Sequence, residues 1–236
     1  MGDTGKTDVL PMWPVGASPE YVAARMDLAR AERALRDRVE EIAAARRTLP
    51  DGAVLPDYLL TEGPRDLGKD RPVRTVRLAE LFGGYDALIV YHLMFHPDDD
   101  QACPMCSMWV DGLHGVAHHL ARHAAFAVIA KAPLPKLRTW ALRRGWDGLR
   151  ILSSHDTTFN TDLRAEHANG EQRPMLSVFV RDGNRARHFY TLPANFLDDA
   201  ERGIDQLSPV WNILDLLPKG RGDWYAENDY AGRERS

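Results

Sequence analysis

Short apolar runs alternate with longer stretches of helical spacing from residue 87 onward. Runs rich in branched and aromatic residues predict strands, and apolar residues three or four apart predict helices. The predicted strands are Ala87–Phe95, Phe126–Ala130, Leu149–Leu152, Met175–Val180 and Ala186–Tyr190, with helices after Cys106 and at Leu134–Arg143. Strands that alternate with helices indicate a mainly parallel sheet with helices on both faces, and the closing hairpin adds antiparallel strands at its edge.

A long helix is predicted before the sheet. Ser18 and Pro19 form a typical N-terminal cap and first turn, and neither glycine nor proline occurs from residue 21 to residue 47. Apolar residues recur at every seventh position of this segment, at Tyr21, Leu28, Leu35 and Ile42. This narrow stripe fits two arrangements: the helix packs on its own domain, or it pairs with a second subunit as a coiled-coil arm.

Composition and charge set the class of protein. The chain has 236 residues, of which 44% are hydrophobic and 27% charged, and its formal net charge is −4. These values are ordinary for a soluble globular protein and lack the basic excess typical of nucleic-acid binding. The longest apolar runs are shorter than the roughly 20 residues that span a bilayer, and the first residues lack the apolar core of a secretory signal. We therefore expect a cytoplasmic protein without membrane or nucleic-acid partners.

Three regions are predicted along the chain. An N-terminal arm and the long helix occupy residues 1–50, and the main α/β domain occupies residues 51–222. Residues 223–236 are predicted to form a C-terminal tail. A further helix is predicted at Phe196–Arg202, just before this last part of the chain.

Both cysteines of the chain, Cys103 and Cys106, follow the first long strand and begin a predicted helix. A thiolate is the reactive form of cysteine, and the unpaired N–H groups at a helix N-terminus would stabilise one at Cys103. Pro104 suits the first helical position because it has no N–H to leave unpaired. Cys106 lies one turn further on, where it could attack a mixed disulfide formed at Cys103. The spacing predicts a redox-active pair, with Cys103 as the nucleophile and Cys106 as the more buried resolving thiol.

Four segments together resemble one known family. They are Ile-Val-Tyr-His-Leu-Met-Phe (89–95), Cys-Pro-Met-Cys-Ser-Met-Trp (103–109), Ser-Ser-His-Asp-Thr-Thr-Phe-Asn (153–160) and Pro-Met-Leu-Ser-Val-Phe-Val-Arg-Asp-Gly (174–183). In this order they are similar to the DUF899 family of thioredoxin-like proteins, regarded as dithiol–disulfide oxidoreductases. The resemblance covers most of residues 20–222. It implies a thioredoxin-like α/β fold of peroxiredoxin-like layout, with a central sheet and flanking helices, preceded here by the long N-terminal helix.

The same resemblance implies a substrate class and a substrate site. The substrate would be a small thiol or disulfide, or a protein disulfide, and no cofactor is called for. In the thioredoxin fold a strand-opening proline, usually with a cis peptide bond, faces the dithiol, and Pro174 holds that position. Pro104 and Met105 lie between the cysteines, and His155 follows a strand whose end should face the same side. These four residues are the predicted substrate-binding residues.

One departure from the thioredoxin pattern concerns the strand beneath the pair. Thioredoxins carry a buried acid there, whereas this strand offers Tyr91 and His92. Histidine is the side chain whose proton affinity best suits exchange near neutral pH. We therefore expect His92 to be a catalytic residue that takes the proton of Cys106.

A metal site is the alternative interpretation of the pair. Copper or zinc would be held by Cys103 and Cys106 together with His92 and His96, because thiolate and imidazole are the preferred ligands of these metals. A third interpretation is a scaffold that acts through its N-terminal helix.

The aromatic residues near the C-terminus need to be buried, on this domain or on a second subunit. They are Trp211, Trp224, Tyr225 and Tyr230. A homodimer formed through the N-terminal helix or through this aromatic segment is therefore one expectation.

Overall fold

Strands and helices alternate along the chain as in an α/β protein. The computed structural model describes residues 11–196 and 201–230. Its helices are α1 (Pro19–Arg47), α2 (Pro104–Leu120), α3 (Leu134–Arg144), α4 (Phe159–Asp162) and α5 (Pro209–Leu214). Its strands are β1 (Leu59–Glu62), β2 (Arg74–Arg77), β3 (Ala87–Leu93), β4 (Ala125–Ala130), β5 (Ile151–Ser153), β6 (Met175–Asp182) and β7 (Arg185–Pro193). Most of the helix predicted at Phe196–Arg202 lies outside the described residues.

The strands form one mixed sheet in the order β2-β1-β5-β4-β3-β6-β7. Strand β3, helix α2 and the parallel strand β4 form a βαβ unit, and the antiparallel hairpin β6–β7 lies on the other side of β3. This arrangement, with a helix leaving the carboxyl end of the central strand, is that of the thioredoxin-like fold. The predicted fold class is confirmed, and β5, β1 and β2 extend the sheet beyond β4.

The central strand β3 has a different neighbourhood on each face of the sheet. Successive side chains of a strand point to opposite faces. Tyr91 and Leu93 pack into the apolar cluster that contains Cys106 of α2. Leu88 and Val90 pack into a second apolar cluster, which lies on the other face. Because both faces are covered, the strand is apolar throughout, and its sequence does not show which residues face the cysteines.

The chain divides between Pro50 and Asp51 into two compact units. In the first unit, α1 begins after Ser18, whose Oγ accepts a hydrogen bond from the Tyr21 N–H at 3.2 Å. Residues of its apolar stripe are exposed, with Leu35 at 66%. In the second unit, the described part of the predicted tail (223–230) is hydrogen-bonded to Met105 and Ala102 at the start of α2. No helix among the described residues is long and apolar enough to cross a membrane.

A buried ion pair joins the short strand β1 to the rest of the sheet. The Glu62 side chain is 4% exposed and accepts a hydrogen bond from Arg150 Nε at 2.7 Å. Arg74 donates a second bond of 2.7 Å to the same carboxylate, but its own side chain is 66% exposed. Burial raises the pKa of Glu62, and the two arginines outweigh that effect, so the net pKa is lowered. The carboxylate is therefore charged in the folded protein and depends chiefly on Arg150.

Replacing Arg150 by methionine is expected to destabilise the protein by about 3–5 kcal/mol, because a buried carboxylate loses its main partner. Arg74→Met is the matched control and should cost at most about 1 kcal/mol, since that arginine is mostly in water. Urea unfolding monitored by circular dichroism compares the two. Equal losses of stability in both variants would contradict this account of Glu62.

Candidate active site around the cysteine pair

The backbone holds Cys103 at the cap of α2 and Cys106 in its first turn. The Cys103 N–H donates to the carbonyl of Met94 at 3.0 Å, and the Ser107 N–H donates to the carbonyl of Cys103 at 2.9 Å. Pro104 is the first residue of the helix, as the sequence predicts. Both cysteines are free thiols; Cys103 is half-buried and Cys106 is 1% exposed. A reagent in solution therefore reaches Cys103 first.

The pKa of the Cys103 thiol is lowered to about 6. The largest cause is a hydrogen bond from the Cys106 thiol, and burial acts in the opposite direction. The backbone N–H groups of Cys106 and Met105 lower the pKa further, although they close no regular capping hydrogen bond on the sulfur. At neutral pH Cys103 is mostly thiolate, which is the nucleophilic form.

The pKa of Cys106 moves the other way, well above the usual value for a thiol. Burial is the largest cause, followed by the interaction with Cys103. Tyr91 lies beneath it and acts in the opposite direction, since its hydroxyl lowers the Cys106 pKa. That hydroxyl is itself fully buried and makes no hydrogen bond of regular geometry among the described residues. The two cysteines thus have distinct states, a thiolate above and a protonated thiol below.

The structure corrects the prediction for His92. This residue lies one position after Tyr91, so its side chain points to the opposite face of the sheet from the cysteines. Its Nε2 bonds the Ser177 hydroxyl at 2.9 Å, and its ring stacks on Phe159 with centroids 5.5 Å apart. Burial lowers its pKa to about 3, so the ring is neutral. His92 cannot take the Cys106 proton, and the polar group beneath the pair is the Tyr91 hydroxyl.

Replacing Tyr91 by phenylalanine should raise the pKa of Cys106 further, because the hydroxyl that lowers it is lost. A rise of about half to one pKa unit would slow the attack of Cys106 on the mixed disulfide by about three- to tenfold. An aromatic disulfide reagent releases two coloured thiols, the first on attack by Cys103 and the second on resolution by Cys106. Stopped-flow absorbance separates the two rates. Tyr85→Phe, which removes a surface hydroxyl bonded to the Ala121 carbonyl, is the control. A slower second release in Y91F, with the first unchanged, is expected.

Pro174 lies beside the pair, but with a trans peptide bond. In the antiparallel register His92 pairs with Met175, and Pro174 immediately precedes this first residue of β6; it lines a cavity together with Cys106. Its carbonyl accepts a hydrogen bond from the Ala194 N–H at 3.0 Å, which extends the β6–β7 pairing. The cis bond recorded among the described residues is Arg71–Pro72. The predicted cis form of the Arg173–Pro174 peptide bond is therefore wrong.

A cavity of about 450 Å³ lies against Cys106, and Cys103 is not among the residues that line it. Cys106, Met105 and Pro174 contribute to one wall. The other walls come from α2, the loop after β7 and the C-terminal part of the chain, through Trp109, Ala194, Asn195, Glu201, Arg202, Ile204, Asp205, Trp211, Arg221, Gly222, Asp223, Trp224 and Tyr225. The predicted substrate residues Met105 and Pro174 are thus brought together in one cavity.

The C-terminal segment, defined here as residues 223–230, lies over the start of α2. The Ala226 N–H donates to the Met105 sulfur at 3.4 Å. Asn228 Nδ2 donates to the Ala102 carbonyl and to Gln101 Oε1, each at 3.0 Å. These bonds connect Ala102 and Met105, on either side of Cys103, to the C-terminal segment, more than a hundred residues further along the chain.

The remaining predicted site residues lie elsewhere. Neither Pro104 nor His155 lines the cavity. His155 follows β5, and its Nε2 lies 3.4 Å from Oδ1 of Asp156. His96 is held in its own loop, where its Nδ1 accepts from the Asp98 N–H at 3.3 Å. The structure does not bring His92 and His96 to the cysteines. In the part of the chain that the structure describes, no three His, Cys, Asp or Glu side chains are grouped to hold a metal ion.

Two residues of the site were missed by sequence reasoning. Tyr91 was one of two polar candidates on β3, and only its face of the strand distinguishes it from His92. Trp211 was recognised only as an aromatic residue in need of burial; it is 4% exposed in the cavity wall. The sequence held no signal for Tyr91, because both faces of β3 are apolar.

Solved structures with a similar fold include several peroxiredoxins. A reduced 2-Cys peroxiredoxin from Plasmodium vivax is 11% identical, with a TM-score of 0.48, covering 70% of this chain and 95% of that one. AhpC from Mycobacterium bovis is 16% identical, with a TM-score of 0.46 and coverages of 75% and 98%. Peroxidoxin BcpB from Mycobacterium tuberculosis is 16% identical, with a TM-score of 0.45 and coverages of 67% and 94%. At these identities the similarity concerns the fold alone.

Comparison at the level of sequence gives a family. No curated protein sequence matches the chain. A family model described as a bacterial protein of unknown function, DUF899, matches residues 11–234. That range includes the cysteine pair, the sheet and most of the C-terminal part of the chain. The chain therefore belongs to the DUF899 family.

Proposed function

We propose that the protein is a dithiol–disulfide oxidoreductase, with Cys103 as the nucleophile and Cys106 as the resolving thiol. The observation that supports this most is that the two cysteines differ in accessibility and in thiol pKa. Cys103 is accessible and has a pKa lowered to about 6, whereas Cys106 is buried with its pKa raised. An attacking thiol works best when its pKa is close to the ambient pH, and a resolving thiol must be within reach but shielded.

The reaction proceeds by two thiol–disulfide exchanges. The Cys103 thiolate attacks a substrate disulfide; its S–S bond breaks, and one half leaves as a thiolate that takes a proton from water. Cys106 then loses its proton and attacks the sulfur of Cys103, which releases the second half. The substrate gains two electrons and two protons as two thiols, and the pair ends as a Cys103–Cys106 disulfide. An external dithiol restores the pair by the same steps in reverse.

The lowered pKa of Cys103 also bears on the direction of electron flow. Stabilising the thiolate stabilises the reduced form of the pair and not its disulfide. The disulfide is therefore expected to be more oxidising than one formed by two thiols of ordinary pKa. Cys106 opposes this effect in part. Its raised pKa means that its thiolate is destabilised in the same reduced protein.

A redox titration tests the proposal. The wild-type protein is equilibrated in dithiothreitol buffers of graded potential, then alkylated and weighed by mass spectrometry. One two-electron transition that includes both cysteines is expected, together with catalytic reduction of hydroxyethyl disulfide in the presence of dithiothreitol. A pair that stays fully reduced at every potential, or a protein that forms the disulfide but turns over no substrate, would refute the proposal.

Two further expectations belong to this function. A pair of this kind stays reduced in the cytoplasm, where we place the protein. We also infer a homodimer formed through the apolar stripe of α1, because its leucines are exposed, Leu28 at 53% and Leu35 at 66%. Sedimentation of the wild type and of a Leu28→Glu/Leu35→Glu variant tests this: a monomeric wild type, or a variant that remains dimeric, contradicts it.

A further inference from the structure

Asn228 connects the C-terminal segment to the residues just before Cys103. Its Nδ2 donates to the Ala102 carbonyl and to Gln101 Oε1, each at 3.0 Å. Its own carbonyl accepts a hydrogen bond of 3.2 Å from Nη1 of Arg144, the last residue of α3. One residue thus joins the segment both to the loop before α2 and to the end of α3.

Ala226 places the same segment beside the cysteines. Its N–H donates to the Met105 sulfur at 3.4 Å, and the residue is 6% exposed. It belongs to the apolar cluster that contains Cys106 and against which Cys103 packs. The C-terminal segment therefore lies next to the nucleophile and contacts residues on both sides of it in the sequence.

The rest of the C-terminal segment is weakly held. Its backbone forms neither helix nor strand, and six of its eight residues are exposed, with Tyr225 at 57% and Tyr230 at 45%. The ion pair between Asp229 and Arg143 is partly in water, and such pairs contribute little stability. Segments with few buried contacts open at free energies well below that of global unfolding. The two side-chain hydrogen bonds of Asn228 are therefore a large part of what keeps this segment in place.

A segment in this position affects small and large substrates differently. Cys103 is half-buried with the segment in place, so a small disulfide can reach it. A disulfide on a folded protein brings that protein's own surface with it, and this surface would overlap with a segment that contacts both neighbours of Cys103. A protein disulfide therefore reacts only with molecules whose segment has detached, and its apparent affinity is reduced by the fraction of such molecules.

We propose that Asn228 is a specificity-determining residue, which holds the C-terminal segment across the start of α2 and so restricts Cys103 to disulfides of low molecular weight. The inference rests on the proposed function for its chemistry, the two thiol–disulfide exchanges described above, and it names the substrate class. Asn228 itself touches no reacting atom. It acts through the segment that it anchors.

Alkylation of Cys103 by maleimides of two sizes tests the role of Asn228. N-ethylmaleimide is the small reagent, and a maleimide linked to lysozyme by a short spacer is the large one. In the wild type the ratio of the small-reagent rate to the large-reagent rate should exceed the ratio measured on an unstructured cysteine peptide. Asn228→Ala should raise the rate of the large reagent about tenfold, as loss of neutral hydrogen bonds does, and leave the rate of N-ethylmaleimide unchanged.

Asn212→Ala is the matched control. The Asn212 Nδ2 also donates to two acceptors, the carbonyls of Ser208 at 2.8 Å and Asp205 at 3.3 Å, but it lies outside the C-terminal segment. Both alkylation rates should stay at their wild-type values in this variant. Equal acceleration of both reagents by Asn228→Ala would show a general loosening of the fold and overturn the assignment. A wild-type ratio equal to that of the free peptide would overturn it as well.

A second variant keeps the test decisive if Asn228→Ala does not fold. Gln101 is exposed, and Gln101→Ala removes one of the two acceptors of the Asn228 amide. The large reagent should react about threefold faster with this variant, the value of one weak hydrogen bond, with no change for N-ethylmaleimide. An unchanged rate of the large reagent would contradict the role given to these bonds.

Alkylation requires a thiol but no exchange, so its outcome is independent of the proposed function. Turnover then tests the substrate class. The wild type should have a higher kcat/KM for hydroxyethyl disulfide than for insulin, and Asn228→Ala should narrow this difference through faster reduction of insulin. A wild type that prefers insulin, or a difference unchanged in Asn228→Ala, overturns the inference. Failure of the wild type to reduce either compound refutes the proposed function, and with it the substrate class, whatever the alkylation rates.

Discussion

Replacement of Cys103 by serine is expected to abolish disulfide reduction, with a loss on the order of a thousandfold or more, as removal of a nucleophile commonly gives. Replacement of Cys106 by serine should instead stop the reaction after one exchange. The difference follows from accessibility and charge: Cys103 is half-buried with a pKa of about 6, and Cys106 is buried and protonated. Serine cannot supply an anion near neutral pH, so it cannot replace either thiol.

Intact-mass analysis distinguishes the two variants. After incubation with hydroxyethyl disulfide, Cys106→Ser should gain the mass of one half of the reagent, and peptide mapping should place it on Cys103. Cys103→Ser should gain little mass in the same time. An adduct on Cys106 in the Cys103→Ser variant at the wild-type rate would show that the roles are reversed.

Replacement of Cys106 by alanine is expected to raise the pKa of Cys103. In the wild type the Cys106 thiol is the largest cause that lowers it to about 6. The alkylation rate of Cys103 by iodoacetamide follows its thiolate fraction. The midpoint of that rate against pH should lie near 6 in the wild type and higher in the variant. A rise of about one pKa unit lowers the thiolate fraction at pH 7 from about nine-tenths to about one-half, so the variant should react about twofold more slowly at that pH.

Cys106→Ser provides the matched control, because a hydroxyl keeps a donor at the same place. Its midpoint should lie between those of the wild type and Cys106→Ala. The pKa of Cys103 is lower in the folded protein than in the unfolded chain, so its ionisation stabilises the reduced, folded protein at pH values above the unfolded-state pKa. This stabilisation is lost as the pH falls through about 6. A common midpoint in all three proteins would show that the helix N–H groups alone set the pKa.

Sequence reasoning located the cysteine pair but not the residue beneath it. The N-terminal position of the pair on α2 follows from local signals, a preceding strand, a proline at the first helical position and the spacing of the cysteines. Local signals do not show which residues of β3 face the cysteine pair. With apolar residues on both faces, a shift of one residue exchanges Tyr91 for His92, and no alternation in the sequence fixes the parity. Histidine is the usual proton acceptor near neutral pH, which favoured His92, although its side chain points away from the cysteines.

The cavity was beyond prediction for a different reason. Its walls join α2 to residues near 205 and 225, and such contacts between distant segments leave no periodic pattern in the sequence. The aromatic content of the C-terminal part indicated a need for burial but not a place. Pro174 lines the cavity with Cys106, and its trans peptide bond is visible only in the folded structure.

The position of both thiols in the first turn of α2 has a consequence for oxidative damage. An oxidant that converts Cys103 to a sulfenic acid leaves it one helical turn from Cys106, a thiol that can condense with it. Condensation gives a disulfide and water and requires no unfolding of α2, since the partner is already in the same helical turn. Further oxidation to the sulfinic acid, which most proteins cannot reverse, must compete with this internal step. The first turn of α2 therefore protects the sulfur that it activates.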